Sequence, residues 1–162
     1  MSYVKILHMT YTIAVTRFNE STWREQRIYM ENHKSLFYNS PCHITDKIPI
    51  NNYIIVLEMH NDDNKIKGIG LIKNYVINKK KNIFTDKNYN RFTYKSLYRF
   101  DRSELNLFDE SVLKFFDIIC FTGSRHLKRG KGIQRIPDNI IEKCRDVLYF
   151  PSYFEKLFEN KI

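Results

Sequence analysis

Two runs stand out in the pattern of apolar and polar positions. Residues 53–60 read YIIVLEMH and residues 65–75 read KIKGIGLIKNY, with the polar NDDN between them. Apolar, β-branched runs on either side of an Asn/Asp break predict a β-hairpin. Ile54 to Leu57 is apolar on both strand faces, which places it inside a sheet. In the second run Ile66, Gly68, Gly70 and Ile72 share one face, and Lys67, Ile69, Leu71 and Lys73 share the other. Two glycines on one face weaken a strand unless something must come close to its backbone. A helix packed over that face, a barrel bend or a ligand each meets that need.

The remaining pattern is read the same way. Residues 11–16 (YTIAVT) predict a strand. Thr22 with Glu25 forms a capping-box pair, so a short helix is expected to begin near Trp23, with Trp23, Arg27 and Met30 on one side. Residues 34–49 read as irregular, punctuated by Pro41 and Pro49, and residues 78–82 as a charged turn. Residues 92–100 alternate with period two: Phe92, Tyr94, Tyr98 and Phe100 on an aromatic inner face, Arg91, Lys95 and Arg99 on a basic outer face. Leu105, Phe108, Val112, Phe115, Phe116 and Ile119 recur at helical spacing and predict an amphipathic helix ending near Gly123. A further helix is expected from Pro137-Asp138 to about Leu148. A last one follows Pro151, with Tyr153, Phe154, Leu157 and Phe158 as its stripe. The sum is an α+β domain: a small mixed or antiparallel β-barrel with flanking helices and a C-terminal helical extension. With no internal repeat and no Gly/Ser linker, residues 1–162 are expected to form one domain. Its barrel core spans about residues 3–102 and its helical, basic extension about residues 103–162.

Composition narrows the partners. The net charge is +9, and a domain this basic usually meets nucleic acid, an anionic membrane face or an acidic protein. Cys42, Cys120 and Cys144 are widely spaced and odd in number, which suits a reducing interior. The first fifteen residues lack a signal-peptide apolar region and no run is long enough to cross a bilayer. An intracellular location, cytoplasmic or nuclear, is therefore expected, with no membrane association. The preference for Asn, Lys, Ile and Tyr suggests an AT-rich genome, such as that of a large DNA virus.

The stretch most suggestive of chemistry is SRHLKRGKGIQRI, residues 124–136. Arg125, His126, Lys128, Arg129, Lys131 and Arg135 surround Gly130 and Gly132. Glycines let a backbone approach an anion and the cations attract it, so phosphate is the natural partner. A solvated basic loop is the plainer alternative. Arg91, Lys95 and Arg99 supply a second basic row. Trp23, the only tryptophan, sits among Arg17, Arg24 and Arg27 and suits either a core or a stacking role. Catalytic patterns are poor: Asp62 and Asp63 belong to a turn, Asp101 and Glu104 to a helix start. His126 and Lys128 lack the paired carboxylates of a metal-dependent nuclease. Cys42-His43, Cys120, His126 and Cys144 match no standard zinc spacing, so no metal or cofactor is expected.

The order of parts resembles the PUA-like superfamily, especially its EVE, YTH and ASCH branches. It runs from a YTIAV strand through a helix bearing Trp23 and the irregular NHKSLFYNSP to PINNYIIVLEMHNDDNKIKGIGLIKN. The likeness covers about residues 11–75. It implies a small β-barrel with flanking helices, of a kind that often binds RNA or modified bases. It further implies a base pocket bordered by Gly68-Ile69-Gly70 and walled by Trp23, Asn32, Tyr38 and Asn39. The paired tryptophans of a methyladenosine cage are absent, and residues 124–162 match no part of those branches. The expected function is non-catalytic binding of nucleic acid, RNA favoured over DNA, through an aromatic pocket and a basic phosphate-binding face. An interaction or virion subunit docking an acidic partner, and a small nuclease, remain open.

Overall fold

The computed structural model describes residues 11–161, so the expected barrel start at residues 3–10 lies outside the described residues. In chain order the elements are β1 (Thr12–Phe18), α1 (Glu20–Asn32), β2 (Phe37–Ser40), β3 (Tyr53–His60), β4 (Lys65–Val76), β5 (Phe92–Asp101), α2 (Leu107–Phe121), β6 (Gln134–Arg135), α3 (Asp138–Lys143) and α4 (Phe150–Phe158). The six strands form one mixed sheet, ordered β2–β5–β4–β3–β1–β6, curled into a half-barrel.

The hairpin β3–β4 is its centre. Val56 stands opposite Gly70 and Ile55 opposite Leu71, while β1 runs parallel to β3 and β5 antiparallel to β4. Ile54 to Leu57 are wholly buried, because both faces are covered. Ile55 and Leu57 pack against the C-terminal helices, alongside Leu113 and Phe116 of α2 and Phe150, Phe154 and Phe158 of α4. Ile54 and Val56 face the inside of the curl with Tyr38, Ile72 and Tyr94. Full burial of each such apolar side chain contributes roughly 1.5–3 kcal/mol. No helix among the described residues is long and apolar enough to cross a membrane.

The structure corrects several local expectations. Helix α1 starts earlier than Trp23: Asn19 is its N-cap, its side chain accepting from Thr22 N–H at 2.8 Å, and Thr22 answers as the third residue of the box. Asn19 already has the extended backbone and short acceptor that a cap requires, which releases Glu25 to accept from Thr85 N–H at 2.9 Å. Residues 34–49 are not wholly irregular, since β2 pairs with β5. The basic segment contains β6, which pairs with β1 at Ala14 and Val15. Strand β5 does not keep one aromatic face. Its register against β4 passes from Tyr98 opposite Leu71 to Ser96 opposite Ile72, so Leu97 is extra and the alternation inverts. Tyr94 therefore faces the curl while Tyr98 and Phe100 face the helices. Helix α3 stops at Lys143, not Leu148. Beyond it the backbone tightens into i to i+3 bonds, from Cys144 N–H to Ile141 O and from Val147 N–H to Cys144 O.

Candidate functional site

The face of Gly68 and Gly70 is occupied by the chain's own side chains. Glu58, from β3, is held bidentately by Arg99: Nη2 donates to Oε1 and Nε to Oε2, both at 2.7 Å. Tyr38 donates its hydroxyl to the same Oε2 at 2.5 Å. A Cβ on Gly68 would lie 2.6 Å from Glu58 Oε1, and one on Gly70 would lie 2.7 Å from two ring carbons of Tyr38. Gly68 is required by this buried ion pair and Gly70 by the Tyr38 ring bonded to it, not by a bend or a helix. Burial alone would lower the Arg99 pKa, but Glu58, by charge and hydrogen bonds, holds it above its ordinary value. Burial, then Glu58, pushes the Tyr38 phenol well up.

This arrangement corrects the expected pocket and the second basic row. Arg99 lies inside the half-barrel because the Leu97 bulge turns it there, and only Arg91 and Lys95 remain exposed. Tyr38 is a buried hydrogen-bond donor rather than a pocket wall. Trp23 packs edge-on to Phe18 at 5.3 Å and to His60 at 6.0 Å, beneath Arg27, as the half-buried margin of a buried cluster. Asn32 closes the exposed end of α1, donating to Ile28 O.

The site with room for a ligand lies elsewhere, at the seam where the two sheet edges approach. Just past β2, Cys42 Sγ comes within 3.8 Å of the Lys131 carbonyl, just before β6. Gly130 and Gly132 have φ of 119° and 69°, values that side-chain-bearing residues rarely adopt. A Cβ on Gly132 would lie 3.0 Å from Cys42 Sγ, and one on Gly130 would lie 3.2 Å from Arg17 Nη2. The glycines of the basic segment thus let it close onto β1 and β2. The result is an open cleft of about 750 Å³. The end of β1 with the first turn of α1, the end of β2, the segment from Phe84 to Arg91, and the segment from Lys128 to Gly132 surround it.

Its electrostatics are one-sided. Arg17, Arg91, Lys128 and Lys131 line it against one carboxylate, Asp86, which is engaged by Asn88 N–H at 3.0 Å. Arg17 is the telling member. Its Nε donates to the Leu127 carbonyl at 2.5 Å, while its Nη1 is buried without a partner. Burial lowers the Arg17 pKa, and the group acting against this is the Cys120 thiol. That thiol is itself pushed up to about 12, by burial and then by Asp117, so at neutral pH it brings no charge to Arg17. Among the described residues Arg17 stays protonated and lacks a counter-ion. Beside it Asn61 donates Nδ2 to the Lys128 carbonyl at 3.0 Å, leaving its Oδ1 buried and unpaired. Each such orphan costs about 1–3 kcal/mol, which a ligand can relieve. Tyr89 is 42 % exposed, its ring set edge-on to Phe84 at 6.0 Å.

Of the residues singled out in the sequence, the cleft gathers Arg91, Lys128, Lys131, Asn39 and Gly130 with Gly132. Asn39 is already saturated by Lys81, Asn90 and Thr93. Lys95, Arg125 and Arg129 are exposed outside the cleft. His126 accepts from Lys128 N–H at 3.2 Å, and Arg135 pairs with Asp138 at 3.4 Å. Arg17, Asn61 and Tyr89 escaped sequence reasoning as site residues. The one local signal was a cation near the end of an otherwise uncharged strand. Among the described residues no three His, Cys, Asp or Glu side chains gather to hold a metal ion. No family model, curated protein or solved structure matches the chain.

Proposed function

We propose that the protein binds single-stranded nucleic acid, without catalysis, in the seam cleft. Phosphates sit on Arg17, Arg91, Lys128 and Lys131, and an unstacked base lies on Tyr89, in the stacking role that the sequence suggests for Trp23. Stacking of this kind is worth about 1–3 kcal/mol per base. The observation that carries the reading is Arg17, a part-buried cation with no counter-ion among the described residues, in a cleft lined by four cations and one carboxylate. A PUA-like ancestry for the curled sheet, and action inside the cell, where the three free cysteines stay reduced, belong to the same proposal.

Fluorescence polarisation with short labelled oligonucleotides, at about 50 and about 200 mM salt, tests it. The wild type should bind more weakly at the higher salt. Lys128→Ala with Lys131→Ala should weaken binding to every sequence alike and flatten the salt slope by about 0.7 for each phosphate no longer neutralised. An unchanged affinity and slope in a folded double variant refutes the site. Binding to an acidic protein, with none to oligonucleotides, favours the docking-subunit reading instead.

A further inference from the structure

We infer that the cleft distinguishes RNA from DNA, with Arg17 taking a backbone phosphate and Asn61 accepting a hydrogen bond from the neighbouring ribose 2′-hydroxyl. The inference rests on the nucleic-acid reading above and adds the sugar to it. Its basis is a matched pair of orphans: Arg17 Nη1, a donor, and Asn61 Oδ1, an acceptor, both buried and both without a partner among the described residues. The two side chains are anchored on consecutive carbonyls, Leu127 and Lys128, at 2.5 and 3.0 Å. Both side chains therefore reach the same short stretch of backbone, and both line the same cleft.

Chemistry decides what fits both. A phosphate oxygen satisfies Arg17 but would set acceptor against acceptor at Asn61. Asn61 cannot simply turn over, because its amide nitrogen is the group that reaches the Lys128 carbonyl. The ligand must therefore carry an O–H or N–H donor close to an anionic acceptor. In RNA the 2′-hydroxyl is on the carbon next to the one bearing the 3′-phosphate. The N–H groups of a base lie across the sugar, further from the phosphate. In DNA the 2′ carbon offers only C–H, and Oδ1 stays unpaired. Both orphans are closed to water, so a ligand reaches them only by displacing the side chains that cover them.

The test uses the full chain and oligonucleotides of one sequence in four forms: RNA, DNA, 2′-fluoro RNA and 2′-O-methyl RNA. The fluoro form keeps the RNA sugar shape and loses the donor. RNA should bind about five- to tenfold tighter than the other three, the worth of one hydrogen bond. Asn61→Ala, checked for folding by thermal melting, should abolish the preference, so that RNA and DNA bind alike. If 2′-fluoro RNA binds as well as RNA, helical shape is being read and the inference is overturned. It is likewise overturned if affinity follows the base and not the sugar. Equal, salt-sensitive binding of all four forms overturns it and leaves the nucleic-acid reading standing. No binding of any form overturns both.

Discussion

Replacing Gly70 by Ala separates the structural account of the central strand from a ligand pocket. The new methyl would lie 2.7 Å from two ring carbons of Tyr38, whose side chain is 1 % exposed and hydrogen-bonded to Glu58. The ring has no free volume to enter, so it must shift and release Glu58. Overpacking costs about 1–3 kcal/mol and a lost hydrogen bond to a charged group about 1.5–3, against a gain of about 0.4–1 from stiffening the unfolded chain. The net loss should be about 2–5 kcal/mol, a large part of the stability of a domain this size. Urea unfolding followed by Trp23 fluorescence measures it, with oligonucleotide affinity determined on the folded fraction. Affinity should match the wild type, because no atom of Gly70 lines the cleft. A loss below about 0.5 kcal/mol, the range of an ordinary surface change, would refute the pinned-ring argument. Weakened binding at unchanged stability would return a ligand to this face.

The buried pair itself makes two further predictions. Arg99→Met leaves the Glu58 carboxylate, 1 % exposed, without its cation and should cost about 3–5 kcal/mol. Adding Glu58→Gln should recover part of that in thermal melting, since no lone charge then remains, and no recovery would argue against charge burial as the cause. Asp101 tests pH dependence. Burial raises its pKa, but hydrogen bonds from Ser103 and the Arg99 charge outweigh this and hold it below its ordinary value. A depressed carboxylate stabilises the fold above its unfolded pKa of about 4 and loses that contribution as pH falls through the lower folded value. Asp101→Asn should therefore show a shallower fall in melting temperature than the wild type below about pH 4, and superimposable profiles would contradict it.

The elements legible from residue order are those governed by local rules. The β3–β4 hairpin follows from two apolar runs and an Asn-rich turn, where Asn64 takes a φ of 54°. Helices α2 and α4 follow from 3.6-residue periodicity, with Asn106 capping α2 and Gly123 ending it at a φ of 79°. What residue order left open depended on partners far along the chain. Strands β2 and β6 are too short to carry a pattern and exist because β5 and β1 supply their hydrogen bonds. One extra residue in β5 moved Arg99 from an expected outer row to the interior, since strand alternation is lost at a bulge. The glycine pair signalled a close approach, but only the pairing of Glu58 with Arg99, 41 positions away, decided what approaches. The cleft depends most on tertiary structure: Arg17 meets the Leu127 carbonyl across 110 positions. Apolar spacing records which face is buried. Which cations are left without counter-ions is set by the curl of the sheet and the meeting of its edges.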